Sequence, residues 1–161
     1  MDLVQTLGVE RAVQTVYLDY CDAIDDKRFD DLDRVFARDC EGDYRDAHGA
    51  VLDGLAPLVA RLHENMGPAS TCGATHHNVL NFRIDVLGDD RAEAQVHFYA
   101  VHQGSGSMAG RLYTVWGRYD DELARTADGW RITKRKYTNF VVDGDKAVIR
   151  RGVPQDPDGS R

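Results

Sequence analysis

The 161-residue chain carries 20 Lys and Arg against 27 Asp and Glu, for a formal net charge of −7, and 42% of its residues are hydrophobic. That length suits one domain burying roughly two-thirds of its unfolded surface, while scattered cations on an acidic chain argue against a nucleic-acid surface. No apolar run approaches the roughly 20 residues of a membrane span, and the amino-terminal MDLVQTLGVERAV has neither a basic segment nor an export core, so a cytoplasmic protein with no membrane partner is expected.

Val13, Val16, Tyr17, Tyr20 and Ile24 recur at helical spacing and predict an amphipathic helix over Gly8–Ile24. Asp25 follows at its inward end. Phe29, Leu32, Val35 and Phe36 predict a second, short helix over Phe29–Phe36. The stretch RDCEGDYRDAHGAVLDG suggests a short strand near Gly42–Arg45 and a turn at His48–Gly49. Leu55, Leu58, Val59, Leu62 and Met66 form a third helical stripe, with Asp53 as N-cap, Pro57 in the first turn and Gly67–Pro68 as the stop.

From Thr75 the period changes to two, the signature of a sheet. Leu80, Phe82, Ile84 and Val86 alternate with polar residues, and after the LGDD turn so do Ala92, Ala94, Val96, Phe98 and Ala100, which predicts an antiparallel hairpin. A hairpin loop, HQGSGSMAG, precedes a third strand over Arg111–Tyr119. A polar loop, DDELARTADG, then leads to a last strand over Trp130–Val142. Helices first and strands afterwards predict an α+β domain over residues 1–147, a cone-shaped barrel of three N-terminal helices on a curved, mainly antiparallel sheet. Residues 148–161, rich in Pro, Gly and charge, are expected to form a disordered tail.

Cys21, Cys40 and Cys72 share no C-x-x-C spacing and read as small buried hydrophobes. The histidines lack a metal spacing such as H-E-x-x-H, and no Gly-rich phosphate loop follows a strand, so neither a metal nor another cofactor is expected. Four positions carry potential chemistry: Tyr20, Asp25, the His76–His77 pair and Arg135. A carboxylate within reach of a strand histidine fixes one imidazole tautomer and raises its basicity. A nearby arginine and tyrosine can stabilise an oxyanion or assist a leaving group.

The runs YLDYCDAIDDKRFDDLDRVFARDC, THHNVLNFRIDVLGDDRAEA and GWRITKRKYTNF resemble, in order, the signatures of the SnoaL-like branch of the nuclear transport factor 2-like superfamily. That family includes scytalone dehydratase, bile-acid 7α-dehydratase, lindane dehydrochlorinase and polyketide cyclases. The resemblance implies a cofactor-independent lyase, of dehydratase type, acting on a small cyclic or polycyclic, aromatic or steroid-like substrate. An isomerase or cyclase using the same dyad, or a non-catalytic binding or assembly module, is the alternative. In the family's lyases the acid stands eleven residues before the aromatic closing the second helix, which selects Asp25 from Phe36. The histidine stands four before a strand asparagine, which selects His77 from Asn81, and Tyr20 and Arg135 complete the implied catalytic set.

Simple alternation conflicts with that choice, because it puts His76 on the face of Leu80, Phe82 and Ile84. A β-bulge between His77 and Asn81 would reverse the parity, and His76 is otherwise the alternative. Tyr44, His102, Tyr113 and Asn139 are further candidates for the pocket wall, with His76. His97 and Tyr99 are expected to point outward, and His48 and His63 to lie exposed. Outward Tyr99 and Trp116 suggest a homo-oligomer, a trimer or dimer as in the related lyases.

Overall fold

The computed structural model describes residues 1–150. Helix α1 (Leu3–Asp25) opens on a capping box, in which the Asp2 carboxylate accepts from the Gln5 amide at 2.8 Å and Gln5 Oε1 accepts from the Asp2 amide at 2.9 Å. It begins before Gly8 because its first turns need no core. Leu3 and Val4 lie on the surface, so burial periodicity starts later than the helix does. The helix ends where Lys27 takes a left-handed conformation, φ +60°. The Lys27 amide then bonds the Ile24 carbonyl at 3.2 Å and the Arg28 amide bonds the Ala23 carbonyl at 2.8 Å. This Schellman closure fixes Asp25 as the last helical residue. Each of Val13, Val16, Tyr17 and Ile24 is buried, and each such large side chain contributes about 1.5–3 kcal/mol.

The second expected helix is a six-residue 3₁₀ turn, Phe29–Arg34, which buries Phe29 and Leu32 before the chain turns into strand β1 (Phe36–Tyr44). A one-turn helix α2 (Arg45–His48) and a short strand β2 (Ala50–Asp53) follow, where only a turn was expected. Helix α3 (Leu55–Met66) carries the third stripe, but Gly54, not Asp53, stands at its N-cap, and no side chain caps it. Strands β3 (Cys72–Val86), β4 (Arg91–Gly104), β5 (Leu112–Thr126) and β6 (Gly129–Gly144) form a meander. The sheet runs β2-β1-β6-β5-β4-β3, antiparallel throughout except for the parallel β1–β6 pair. It is thus an α+β, mainly antiparallel fold as expected.

Strand β5 reaches seven residues beyond its expected end. Asp120–Thr126, expected as polar loop, pair with β6, and Asp121 lies directly opposite Arg135. Strand β3 is irregular between Leu80, which pairs with His97, and Arg83, which pairs with Gln95. One residue is therefore extra, and Asn81 absorbs it in a left-handed conformation, φ +52°. His77 and Val79 consequently share the inner face with Phe82 and Ile84. The bulge lies just beyond the segment where parity required one.

His97 and Tyr99 do point outward; Tyr99 lies against Trp116 with ring centroids 5.0 Å apart, and His97 lies against Phe140. The three cysteines are buried and free. Val148 was expected in the tail. It belongs instead to a 3₁₀ turn, Lys146–Ile149, and is fully buried in the core; Arg150 follows the turn, and residues 151–161 of the expected tail lie outside the described residues. None of the described helices is long and apolar enough to cross a membrane.

Candidate active site

The end of α1 and the start of β3 bring Asp25 against His77. The Asp25 carboxylate holds His77 twice, through its ring Nδ1 at 2.7 Å and its backbone amide at 2.8 Å. Thr75, two residues earlier on the same strand face, donates its hydroxyl to Asp25 Oδ1 at 2.9 Å and accepts from Lys27 Nζ at 2.9 Å. Partial burial pushes the Asp25 pKa up, but the His77 ring and amide together with Thr75 more than offset it, so Asp25 sits below its ordinary value of 3.8. An ionised carboxylate at Nδ1 requires the proton there, which leaves Nε2 as the basic nitrogen. The His77 side chain is 7% exposed and lines the interior.

His76 is not part of this interior. Its side chain is 74% exposed and approaches Asp25 from outside at 3.7 Å. Lys27 and Thr75 were missed from sequence. Thr75 carried a signal, because T-x-H on a strand puts both residues on one face; Lys27 carried none, since its reach depends on the left-handed helix cap.

His77 forms part of the wall of a cavity of about 100 Å³ whose other walls include Tyr20, Tyr44, His102, Tyr113, Tyr119 and Tyr137. Of the expected wall residues, Tyr44, His102 and Tyr113 are present, and Tyr119 and Tyr137 were not foreseen. The His102 ring stands edge-on to His77, with centroids 5.3 Å apart, and its Nδ1–H donates to the Tyr113 carbonyl at 3.1 Å. Burial, with the neighbouring His77 adding to it, pushes His102 down to about 3, so it stays neutral and presents Nε2 as an acceptor. Burial raises the pKa values of Tyr20 and Tyr44, so both phenols remain protonated donors. The Tyr44 hydroxyl is buried without a hydrogen-bond partner among the described residues.

Asn139 does not belong to the wall. Its Nδ2 donates to the Asp46 carbonyl at 3.0 Å, so the α2 turn covers it. A larger groove, about 850 Å³, runs between the start of α1 and Trp130, but it is open and lacks both members of the Asp25–His77 pair.

Arg135 requires the main correction. Its side chain is completely buried, as is that of Asp121, and it does not line the cavity. Nε donates to both Asp121 oxygens, at 3.1 and 3.2 Å, and Nη2 donates to Oδ2 at 2.7 Å; the Tyr17 hydroxyl adds a bond at 2.8 Å. The guanidinium carbon lies 3.9 Å from the Tyr119 ring centroid and 4.6 Å from that of Tyr20. Burial works against its charge, but Asp121 more than compensates and holds Arg135 well above its ordinary value. The guanidinium therefore stands behind two tyrosines of the wall, without access to a ligand.

The SnoaL-like domain family matches residues 5–136. An uncharacterized protein of Mycobacterium tuberculosis is 35% identical over 127 residues, covering 78% of this chain and 82% of its own. Solved structures with the same fold include a candidate scytalone dehydratase from Novosphingobium aromaticivorans, with TM-score 0.78 and 20% identity over 88% of this chain and 91% of that one. A LinA-type hexachlorocyclohexane dehydrochlorinase from Novosphingobium barchaimii has TM-score 0.74 and 14% identity, covering 89% and 94%. A nuclear transport factor 2-like protein from Salmonella enterica has TM-score 0.70 and 16% identity, covering 84% and 94%.

Proposed function

We propose, from the premise that the chain belongs to the SnoaL-like domain family, that it is a cofactor-independent lyase of dehydratase type. The observation that carries this reading is the Asp25–His77 contact of 2.7 Å at the wall of an aromatic cavity. His77 Nε2 takes a proton from a carbon made acidic by an adjacent carbonyl. Asp25 stabilises the imidazolium that forms. The Tyr20 and Tyr44 phenols donate to the carbonyl oxygen as it gains charge. As the carbon–oxygen bond breaks, the imidazolium proton passes to the departing hydroxide, which leaves as water and returns His77 to its basic form. Arg135 acts here only through the tyrosine rings in front of it. Isomerisation shares the first step and differs in where the proton returns.

The cavity favours the small end of the expected substrates. About 100 Å³ is less than the roughly 150 Å³ of an engineered cavity that admits benzene. A single ring needs a modest shift of Leu58, Leu62 or Met66, the α3 side chains in the wall, whereas a polycyclic ligand needs a much larger one. The test is a panel of β-hydroxy cyclic ketones, with loss of water followed by the absorbance of the conjugated product. His77→Ala is expected to lower turnover about 10²–10⁴-fold; a drop of less than about tenfold rules His77 out as the base.

A further inference from the structure

We propose that the substrate carries an anionic group, in the simplest case a carboxylate on a short spacer, held in a basic vestibule that adjoins the aromatic cavity. The vestibule has a volume of about 360 Å³ and shares Ala47, His48, Arg61, Asn65 and Ile149 with the cavity wall, so the two spaces are contiguous. Its basic residues come from separate segments: the cations Arg61 from α3, Lys146 from the 3₁₀ turn after β6 and Arg150 beyond it, with the imidazole of His48 from α2 as a hydrogen-bonding neighbour. In a chain of net charge −7, this convergence has to be assembled by the fold.

The charge balance of the vestibule is positive. Arg45 is neutralised by Asp43 at 2.6 Å, and Asp46 is the one carboxylate of the wall. Arg61, Lys146 and Arg150 form no ion pair among the described residues, although Lys146 Nζ donates to the Ala47 carbonyl. His48 registers the same field. Its Nδ1 is buried without a partner among the described residues, and burial first, then Arg61 and Lys146, lower its pKa. Arg61 is half-buried while Lys146 and Arg150 are exposed; clustered cations without ion-pair partners attract an anion from solution. A ring in the cavity beside His77 would place an attached carboxylate among Arg61, His48 and Lys146.

This inference rests on the reading of the cavity as the place where substrate reacts, but it is tested by binding alone. The dissociation constants of 3-phenylpropionate and its neutral amide, 3-phenylpropionamide, are measured by calorimetry, with NMR shifts locating the site. The carboxylate is expected to bind about tenfold tighter than the amide, a difference of about 1.4 kcal/mol, and to weaken as salt is raised. In the Arg61→Gln, Lys146→Gln double variant the two probes are expected to bind within about twofold of each other. His77→Ala is expected to keep the preference, which separates this inference from the lyase reading. Equal binding of both probes by the wild type, a preference that survives the double variant, or no binding of the carboxylate at millimolar concentration overturns it.

Discussion

Two acid–base pairs lie in the interior, and they differ in what remains unsatisfied. At Asp121–Arg135 both side chains are completely buried, the carboxylate takes four contacts from Arg135 and Tyr17, and aromatic rings cover the guanidinium. At Asp25–His77 the carboxylate retains 20% exposure, and His77 Nε2 has no hydrogen-bond partner among the described residues at the wall of a cavity. The first pair keeps one unpartnered nitrogen, Arg135 Nη1, but both its side chains are completely buried and present no surface to a ligand. A pair saturated on one side only is pre-oriented and still reactive, which is the arrangement general-base chemistry needs.

Single substitutions should pull the two apart. His77→Ala is expected to abolish most turnover, by about 10²–10⁴-fold, while the purified protein keeps its near-UV circular dichroism. Asp121→Ala should do the reverse and act on folding. Leaving the Arg135 charge buried and unpaired costs about 3–5 kcal/mol, read as a lowered denaturant midpoint, and a joint Asp121→Leu, Arg135→Met change should cost much less. If Asp121→Ala proves as stable as the wild type, the division of roles between the pairs is wrong.

The bulge gives a smaller effect. Asn81→Val places a β-branched residue at φ +52° and should destabilise by about 1–2 kcal/mol, whereas Asn81→Gly should be tolerated. Equal midpoints for the two variants would remove the case for a left-handed requirement there. Thr75→Val removes one hydrogen bond to Asp25 and should cost about 0.5–1.5 kcal/mol.

The pH dependence is sharper still as a mark of the open pair. Because the folded state holds Asp25 below its ordinary 3.8, its contribution is fully present above that value and is lost as pH falls through the lower, folded one. The stability difference between wild type and Asp25→Asn should therefore shrink on acidification below about pH 4. A difference that stays constant to lower pH would show that Asp25 is not held ionised by His77 and Thr75.

The two pairs also differ in how far they could be read from the chain. Asp25 and His77 were accessible through family resemblance, whereas strand alternation alone favoured His76. Asp121 was hidden in DDELARTADG, whose composition resembles a loop. Its burial follows from pairing across β5 and β6, which sets it opposite Arg135, and a buried charge is tolerable only with that partner in place. The misreading of Arg135 has the same origin: a strand arginine shows its type, but not which charge lies opposite it.

The sequence by itself determined the class of fold, the helical stripes and the meander of strands, because hydrophobic periodicity is a local property, and family resemblance pointed to Asp25 and His77 as candidates, with His76 the alternative. Only the tertiary structure decided which histidine faces inward, through one extra residue at Asn81. It alone also buried Arg135, recruited Thr75 and Lys27 to Asp25, and gathered Arg61, His48 and Lys146 at one mouth. Side-chain parity beyond a bulge and contacts across many tens of residues depend on strand register, and register is settled by the packing of the whole sheet.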